Sequence, residues 1–294
     1  MPGGGTISIR QKIVFEGLDA DGHRLEAYPA AQSLEGLIWA LTVATNFAVS
    51  GRVRQRGDLS SSVKIYISPP KRGSVINELN LLVQENAFIS LIVGGWAVNT
   101  VTPFVNSLIS YTFNSVASGA RSIPYGAKKF FKKLDDGDLE KLLNRVEPPL
   151  TRAHTAIGKT SSTIKLVSAR TELVKFDQTT KSYLEARARE GFQTIETNTT
   201  SFNVLTKNGR LYDPVTAQTV PFTLTANSLA GSSDVIANSM RQYAQGREGT
   251  IRLTAQRVET LEGRLKQLRI SSAELIPPTD WVDGVDPLTV RRTS

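Results

Sequence analysis

Two histidines, His23 and His154, are the candidates for acid–base chemistry in this sequence. An imidazole titrates near neutral pH, so a positioned histidine can accept and return a proton. The 294 residues contain no cysteine, which excludes thiol nucleophiles, disulfides and zinc–thiolate sites. Without a Gly-x-Ser-x-Gly turn or a third histidine, the sequence argues against an enzyme, and we expect no metal and no cofactor. His154 is the first residue to mutate in search of an acid–base role.

Basic side chains are the second chemical feature, because clustered lysine and arginine attract phosphates and carboxylates. The chain has 35 Lys and Arg residues against 27 Asp and Glu, which gives a net charge of +8 at pH 7. In an extended segment, three arginines at alternate positions would lie on one face. The candidate residues for binding an anionic partner are Arg52, Arg54, Arg56, Lys71, Arg72, Lys128, Lys129, Lys132 and Lys133. An ordinary solvated face is the alternative interpretation.

Residues 87–120 form an uninterrupted stretch without a charged side chain. A membrane-spanning helix needs about 20 mainly apolar residues. This stretch is long enough, but it contains Asn99, Pro103 and Asn106. It therefore predicts a buried helical hairpin broken near Pro103, or a subunit interface. Insertion of 87–118 into a membrane is the alternative, with the lysines after it at the anionic headgroups.

Strand and helix patterns alternate in the first 86 residues. A turn at 19–22 would join the first two predicted strands into a hairpin. Apolar spacing of three and four then predicts a helix that begins at Ser33 and ends at Gly51. The predicted strands of this region are 6–16, 23–28, 63–67 and 75–83.

The later residues show the same two kinds of pattern. A helix at 138–147 is expected to end at Pro148 and Pro149. Asn208-Gly209 predicts a hairpin turn, because this pair readily takes positive φ. Apolar spacing predicts a further helix at 235–243. The predicted strands are 163–167, 173–176, 201–205, 220–224, 251–255 and 265–270.

Together these patterns predict an α+β fold: a small N-terminal sheet with a helix, a helical middle segment and a small β-rich C-terminal domain. The predicted divisions are a flexible tail at 1–5, an α+β domain at 6–86, an uncharged helical segment plus basic helix at 87–134, a helical and strand connector at 135–192, a β-rich domain with one helix at 193–276 and a tail at 277–294. No secretion signal is recognised, so we expect a cytoplasmic location, with the inner membrane as the alternative.

A family resemblance rests on three segments: 33–37 with 51–54, 147–158, and 201–222. Taken together, they resemble an uncharacterised bacterial two-domain family of about this length. The resemblance implies a two-part chain with His154 and Arg210 as marked positions, and it assigns a role to neither. It also implies an association with mobile-element and phage-defence loci.

The leading functional hypothesis is a non-enzymatic, self-associating cytoplasmic binding protein that acts in bacterial antiviral defence. The uncharged stretch would form the interface of a homo-oligomer, and the basic residues would meet an anionic partner. That partner is nucleic acid, an anionic membrane or a protein that the sequence does not identify. The first alternative is a membrane-disrupting effector that inserts residues 87–118. The second alternative is a nucleic-acid-binding protein.

Overall fold

The computed structural model describes residues 5–53, 62–68, 75–124, 126–134, 136–213, 218–247, 249–260 and 263–276. Four of the nine candidate anion-binding residues, Arg54, Arg56, Lys71 and Arg72, lie outside the described residues. So do the predicted C-terminal tail and most of the predicted N-terminal tail.

The chain divides into two compact units. The first comprises Met1–Ala186 with Thr260–Arg264, and the second comprises Arg187–Glu259 with Leu265–Ser294. Each unit combines strands with helix, so the predicted α+β fold class is confirmed. The finer predicted divisions of the chain stay predictions.

A sheet and a layer of helices make up the first unit. The strands are β1 Thr6–Glu16, β2 Val63–Ile67, β3 Ile76–Gln84, β4 Thr163–Ser168 and β5 Thr171–Phe176. They form an antiparallel sheet in the order β2–β3–β1–β4–β5. The helices are α1 Ala27–Ser50, α2 Ala87–Val93, α3 Val98–Ser118, α4 Lys128–Phe131, α5 Asp136–Ala153 and α6 Gln178–Leu184.

Strand β1 shows how the sheet is divided between core and solvent. Side chains alternate between the two faces of a strand. Ile7, Ile9, Ile13 and Phe15 are buried, whereas the intervening positions 8, 10 and 12 are exposed. Burial of each large apolar side chain contributes roughly 1.5–3 kcal/mol. The inner face of β1 therefore belongs to the core of the unit.

Helices α1 and α5 cross closely at a glycine. A Cβ atom added to Gly36 would lie 2.5 Å from the carbonyl oxygen of Pro149 and 2.6 Å from the backbone nitrogen of Ala153. Real Cβ atoms do not approach other atoms so closely, so a side chain here would force the helices apart. Ser33 strengthens the crossing, since its Oγ accepts the backbone N–H of Ala156 at 2.8 Å.

The predicted strand at 23–28 and the helix start at Ser33 are wrong. Residues Leu18–Gly22 form a 3-10 turn, and α1 already begins at Ala27. Pro29 lies in the first helical turn, where a proline is tolerated because the first N–H groups of a helix have no intrahelical partner. The predicted end at Gly51 is confirmed, with φ at 66°.

The two breaks predicted at prolines are also wrong. The bend between α2 and α3 lies at Gly94 and Gly95, which have positive φ, and Pro103 is inside α3. Helix α5 continues through Pro148 and Pro149 to Ala153. The carbonyls left without an N–H donor there are those of residues 144 and 145, which are exposed, so water can hydrate them.

The second unit is a sheet with one described helix, α7 Ser232–Ala244. Its strands are β6 Arg187–Ala188, β7 Gln193–Thr197, β8 Thr199–Asn203, β9 Asn208–Asp213, β10 Gln218–Leu224, β11 Ile251–Glu259 and β12 Leu265–Leu275. Their order is β6–β11–β12–β10–β9–β8, and β7 pairs with β11 as well. Strand β12 runs antiparallel to β11 and parallel to β10. Buried Phe222, Leu253, Ile270 and Ile236 belong to its core.

The hairpin turn predicted at Asn208-Gly209 is wrong by a few residues. The chain turns at 204–207, where Lys207 has a φ of 59°, and both Asn208 and Gly209 belong to β9. A Cβ atom on Gly209 would lie 2.3 Å from the carbonyl oxygen of Ser201 and 2.5 Å from the ring of Phe222. This glycine therefore permits close packing inside the sheet and does not form the turn.

Candidate functional site

Strand β1 has a free edge in the middle of the sheet. Its pairing with β3 extends over Thr6–Val14, but its pairing with β4 extends only over Lys12–Glu16. On the β4 side, residues 6–11 therefore have no partner strand among the residues that the structure describes. An unpaired strand edge offers backbone donors and acceptors to another chain.

Ser8 and Arg10 present their backbone groups at this edge. The N–H of Ser162 bonds the carbonyl of Glu16 on the β4 side, and the N–H of Phe15 bonds Val75 on the β3 side. Because the direction alternates along an antiparallel strand, even-numbered residues of β1 face the β4 side. Ser168 Oγ donates to the carbonyl of Arg10 at 3.2 Å. The N–H and C=O of Ser8 have no such partner within the described ranges.

A cavity of about 890 Å³ lies beside the free edge. We call it the β1 cleft. Its lining residues are Ser8, Ile9, Arg10, Gln11, Lys12, Ser68, Glu78, Leu79, Asn80, Val98, Thr102, Ser168 and Ala169. The volume is within the range of about 300–1,000 Å³ found for ligand sites in proteins.

A buried amide chain supports the floor of the β1 cleft. Gln11 occupies an inward position of β1 and is only 1% exposed. Its Nε2 donates to Asn106 Oδ1 at 2.9 Å, and Asn106 Nδ2 donates to Ser168 Oγ at 2.9 Å. Ser168 Oγ in turn donates to the carbonyl of Arg10, so each of the three donor atoms in this chain has one acceptor.

The same chain leaves one acceptor unused. Gln11 Oε1 is buried and has no hydrogen-bond partner among the described residues, and the same holds for Thr102 Oγ1. An unsatisfied buried polar atom costs about 1–3 kcal/mol. Both residues line the cleft. A ligand that donates a hydrogen bond to Gln11 Oε1 would recover part of this cost.

The outer wall of the β1 cleft is positively charged. Lys12 Nζ lies 3.6 Å from Glu78 Oε1, so these two charges compensate each other. Arg10 is exposed, and no residue that the structure describes forms an ion pair with it. The guanidinium is a planar fork of donors that matches carboxylates and phosphates. The wall therefore favours an anionic ligand.

The polar residues of the uncharged stretch form a stripe along α3. Thr102, Asn106, Ser110 and Asn114 are spaced by four, which places them on one side of a helix. Ser110 Oγ donates to the carbonyl of Leu173 in β5 at 2.8 Å, and Asn114 Nδ2 reaches the same carbonyl at 3.2 Å. Asn106, Ser110 and Asn114 thus fix α3 to the sheet that carries the cleft.

The five basic residues predicted to bind an anionic partner that the structure describes do not line the β1 cleft. Lys133 Nζ donates to the carbonyls of Leu91 and Ile92 at 3.1 and 2.9 Å, where α2 ends. Lys129 Nζ lies 5.0 Å from the centre of the Phe130 ring. The remaining described candidates, Arg52, Lys128 and Lys132, are exposed. Lys133 therefore stabilises the end of a helix, and the others remain on the surface.

His154 is buried and fixed by hydrogen bonds. Its Nδ1 lies 2.7 Å from the carbonyl oxygen of Leu150, so Nδ1 carries the proton. Its Nε2 lies 3.0 Å from Thr180 Oγ1, and its ring packs 4.7 Å from that of Phe176. Burial lowers the pKa of His154 to about 4, and the positive charge of Lys181 contributes. The imidazole is thus neutral at pH 7 and performs a structural role here.

Arg210 bridges two strands of the second unit. Its Nε donates to Thr219 Oγ1 at 2.9 Å, and its Nη2 donates to the carbonyl of Thr219 at 2.6 Å. Both contacts connect β9 with β10. This geometry joins neighbouring strands and resembles neither a metal ligand nor an acid–base group.

Sequence reasoning missed the residues that build the β1 cleft: Arg10, Gln11, Asn106 and Ser168. One signal was present in the sequence, because Gln11 interrupts the alternation of Ile7, Ile9, Ile13 and Phe15. A polar residue at an inward position of a strand needs a partner inside the fold. That partner, Asn106, is 95 residues away, which no local pattern can indicate.

Neither a metal site nor a single membrane-spanning helix is found in the parts of the chain that the structure describes. No group of three or more His, Cys, Asp or Glu residues there is arranged to hold a metal ion. Nor does any single described helix combine the length and apolar character needed to cross a bilayer. Helices α2 and α3 meet that criterion only as a pair, and the pair is bent by 92°.

Two family models match the chain. Residues 11–185 match a domain of unknown function (DUF7946), and residues 191–274 match a family of unknown function (DUF7947). No curated protein and no solved structure matches the chain. The matched ranges agree with the expectation of a two-domain chain from an uncharacterised family.

Proposed function

The chain belongs to the family of the domain of unknown function DUF7946, and we propose that it is a non-enzymatic binding protein whose β1 cleft engages an anionic partner. One observation carries this proposal. The guanidinium of Arg10 borders the β1 cleft without an ion pair among the described residues, and the buried carbonyl of Gln11 has no donor among them either. An unpaired cation beside an unsatisfied acceptor favours a ligand that supplies both a negative charge and a hydrogen-bond donor.

The groups that line the β1 cleft favour binding over catalysis. They are mainly amides and hydroxyls, which are not acid–base groups near neutral pH, together with the guanidinium of Arg10 and the Lys12–Glu78 ion pair. The residue best suited to proton transfer by its type, His154, is held in the core by Leu150 and Thr180. We therefore assign the cleft a recognition role.

Self-association, a cytoplasmic location and a part in bacterial antiviral defence belong to the same proposal. Self-association is supported by apolar side chains of the uncharged stretch that stay exposed, with Leu91 at 72% and Val98 at 59%. Most other large apolar residues of α3 pack in the core of their own unit. Light scattering after size-exclusion chromatography tests this part, since a monomer at high concentration contradicts it.

Fluorescence anisotropy of the full chain tests the proposed function. The anionic probes are a capped, labelled hexaglutamate and a labelled single-stranded oligonucleotide, each at low and at physiological ionic strength. The Arg10→Gln variant should bind the better probe about tenfold more weakly, because a charged hydrogen bond contributes about 1.5–3 kcal/mol. Lys159→Gln is the control, since Lys159 is an exposed cation that does not line the cleft.

Two results would contradict the proposed function. One is that neither probe binds the wild-type chain at low ionic strength. The other is that Arg10→Gln and Lys159→Gln weaken binding equally, because the effect would then reflect only the net charge. Preference for the oligonucleotide would instead support the nucleic-acid-binding alternative at this cleft.

A second candidate function is contact with an anionic membrane surface. The exposed side chain of Leu91 lies near the basic residues around α4, because Lys133 reaches the carbonyl of Leu91. Exposed lysines beside an exposed apolar side chain favour the surface of an anionic bilayer. Surface contact needs no rearrangement, whereas insertion of 87–118 would remove the buried residues of α3 from the core.

Vesicle co-sedimentation tests the membrane candidate. The full chain should sediment with vesicles that contain phosphatidylserine and should stay in solution with pure phosphatidylcholine. Leu91→Ser combined with Lys132→Gln should reduce this sedimentation severalfold. Equal sedimentation of the variant and the wild type would exclude this surface.

A further inference from the structure

The free edge of β1 has the dimensions of a docking site for one short strand. Residues 6–10 extend for roughly 17 Å, because an antiparallel strand rises about 3.4 Å per residue. Ser8 offers its N–H and C=O, and Arg10 offers its N–H, towards the cleft. Proteins often bind extended peptides by adding them to such an edge.

The end of β4 makes room for this strand. Ala169 has a φ of 54° and starts the turn into β5, so the chain leaves the sheet at this point. Beyond it, the space beside β1 is the β1 cleft. An added strand would lie in line with β4 and would pair with the free edge of β1.

A carboxylate or a phosphate diester alone does not match the donor and acceptor pattern. Either could bind Arg10, but when ionised it carries no hydrogen for Gln11 Oε1. A peptide carries backbone donors and acceptors for Ser8 and Arg10, and its side chains can supply both the charge and the remaining donor. We therefore propose that the anionic partner is an extended acidic peptide that adds as a strand to the free edge of β1, an inference that rests on the proposed function.

The two faces of the sheet define the sequence that this peptide should have. Side chains of an added strand alternate, so every second one shares the exposed face with Arg10, which forms no ion pair with any described residue. These positions favour Glu or Asp. The intervening side chains share the inner face with Gln11 and Thr102, whose buried Oε1 and Oγ1 lack partners among the described residues, so small polar side chains suit these positions. The peptide should therefore alternate acidic residues with small polar residues.

Three capped peptides test the inference against the full chain by fluorescence anisotropy. The first alternates Glu and Thr over five residues, and the second has the same composition with the three Glu residues together. The third is the alternating peptide with N-methyl groups on alternate backbone nitrogens, which removes strand hydrogen bonds but keeps the charge. The alternating peptide should bind at least about tenfold more tightly than either of the others.

A pair of variants at Ser8 tests the edge itself. Ser8→Pro removes the N–H that faces the cleft and keeps the pairing with β3, since a proline is tolerated where its nitrogen faces no partner strand. Ser8→Ala keeps the N–H and loses only the contact of the hydroxyl with Asn80 Oδ1. Ser8→Pro should lose at least about tenfold in affinity, and Ser8→Ala should bind like the wild type.

The outcomes separate this inference from the proposed function. Arg10-dependent binding of hexaglutamate or oligonucleotide, together with equal binding of the three peptides, overturns strand addition and leaves the proposed function intact. Absence of binding by any anionic probe overturns both. The peptide comparison needs no variant protein, so a folding defect in Ser8→Pro cannot obscure the result.

Discussion

Acidification should weaken the first unit through His154. The buried imidazole has a pKa of about 4, against an ordinary value of 6.5 that it regains on unfolding. Because the folded pKa is the lower one, the contribution is fully present above pH 6.5 and is lost as the pH falls towards 4. Linkage over this window gives a loss of about 2 kcal/mol between pH 7 and pH 5, and about 3 kcal/mol by pH 4.

The assay for this prediction is urea unfolding at pH 7 and pH 5, followed by tryptophan fluorescence, since Trp39 and Trp96 lie in the first unit. His154→Gln cannot titrate, so its stability should fall by about 2 kcal/mol less than that of the wild type. His23→Gln is the matched control, because it removes an exposed histidine and keeps the buried one. Because the chain has two histidines, the imidazole proton resonances in NMR spectra can be assigned, and their pH dependence reports the pKa of His154 directly.

Two results would refute the reasoning. A midpoint near 6.5 for His154 in the folded chain would show that the imidazole is hydrated. An equal pH dependence in His154→Gln and the wild type would show that other groups cause the loss. Either result would return His154 to the set of residues available for proton transfer.

Three further predictions concern packing and polar contacts. Gln11→Leu combined with Asn106→Leu should raise the free energy of unfolding by about 1 kcal/mol, because the pair removes a buried unsatisfied carbonyl, and peptide binding should be lost. A lower free energy of unfolding than that of the wild type, measured by chemical denaturation, would contradict this. Gly36→Ala should destabilise the first unit by about 1–3 kcal/mol in the same measurement, whereas Gly22→Ala, with open space around it, should have little effect. Lys133→Met should cost about 0.5–1 kcal/mol and increase amide exchange at the end of α2, whereas Lys132→Met should change neither.

Elements with a strong local pattern could be predicted from the sequence. The alternation of Val63, Ile65 and Ile67 predicts β2, and the spacing over 235–243 predicts α7; both are confirmed. Gly51 also ends α1 as expected, because a left-handed residue terminates a helix without strain when it is glycine.

Elements decided by distant contacts could not be predicted in this way. The local rule that prolines end helices fails in α5, because packing of this helix against α1 outweighs two missing hydrogen bonds. Likewise, the polar residues of α3 are explained only by their partners in the sheet, such as Leu173. Tertiary packing thus overrides local preference at both places.

The candidate site could be predicted even less than the fold. The β1 cleft exists because β3 and β4 pair with different lengths of β1. This difference is a property of three strands that are far apart in the sequence. The anion-binding residues expected from clustering alone lie elsewhere or outside the described residues, since charge density along the chain does not show which charges already have partners.

The position of β12 has a consequence for the order in which the second unit can form. This strand is the last described element of the chain, yet it lies between β11 and β10 in the sheet. On the ribosome, β8, β9 and β10 can pair as they emerge, and β11 can pair with β7, but the strand between β10 and β11 is added only when residues 265–275 have been synthesised. A premature stop before Leu265 would therefore leave β10 and β11 each with an open edge that is prone to aggregation.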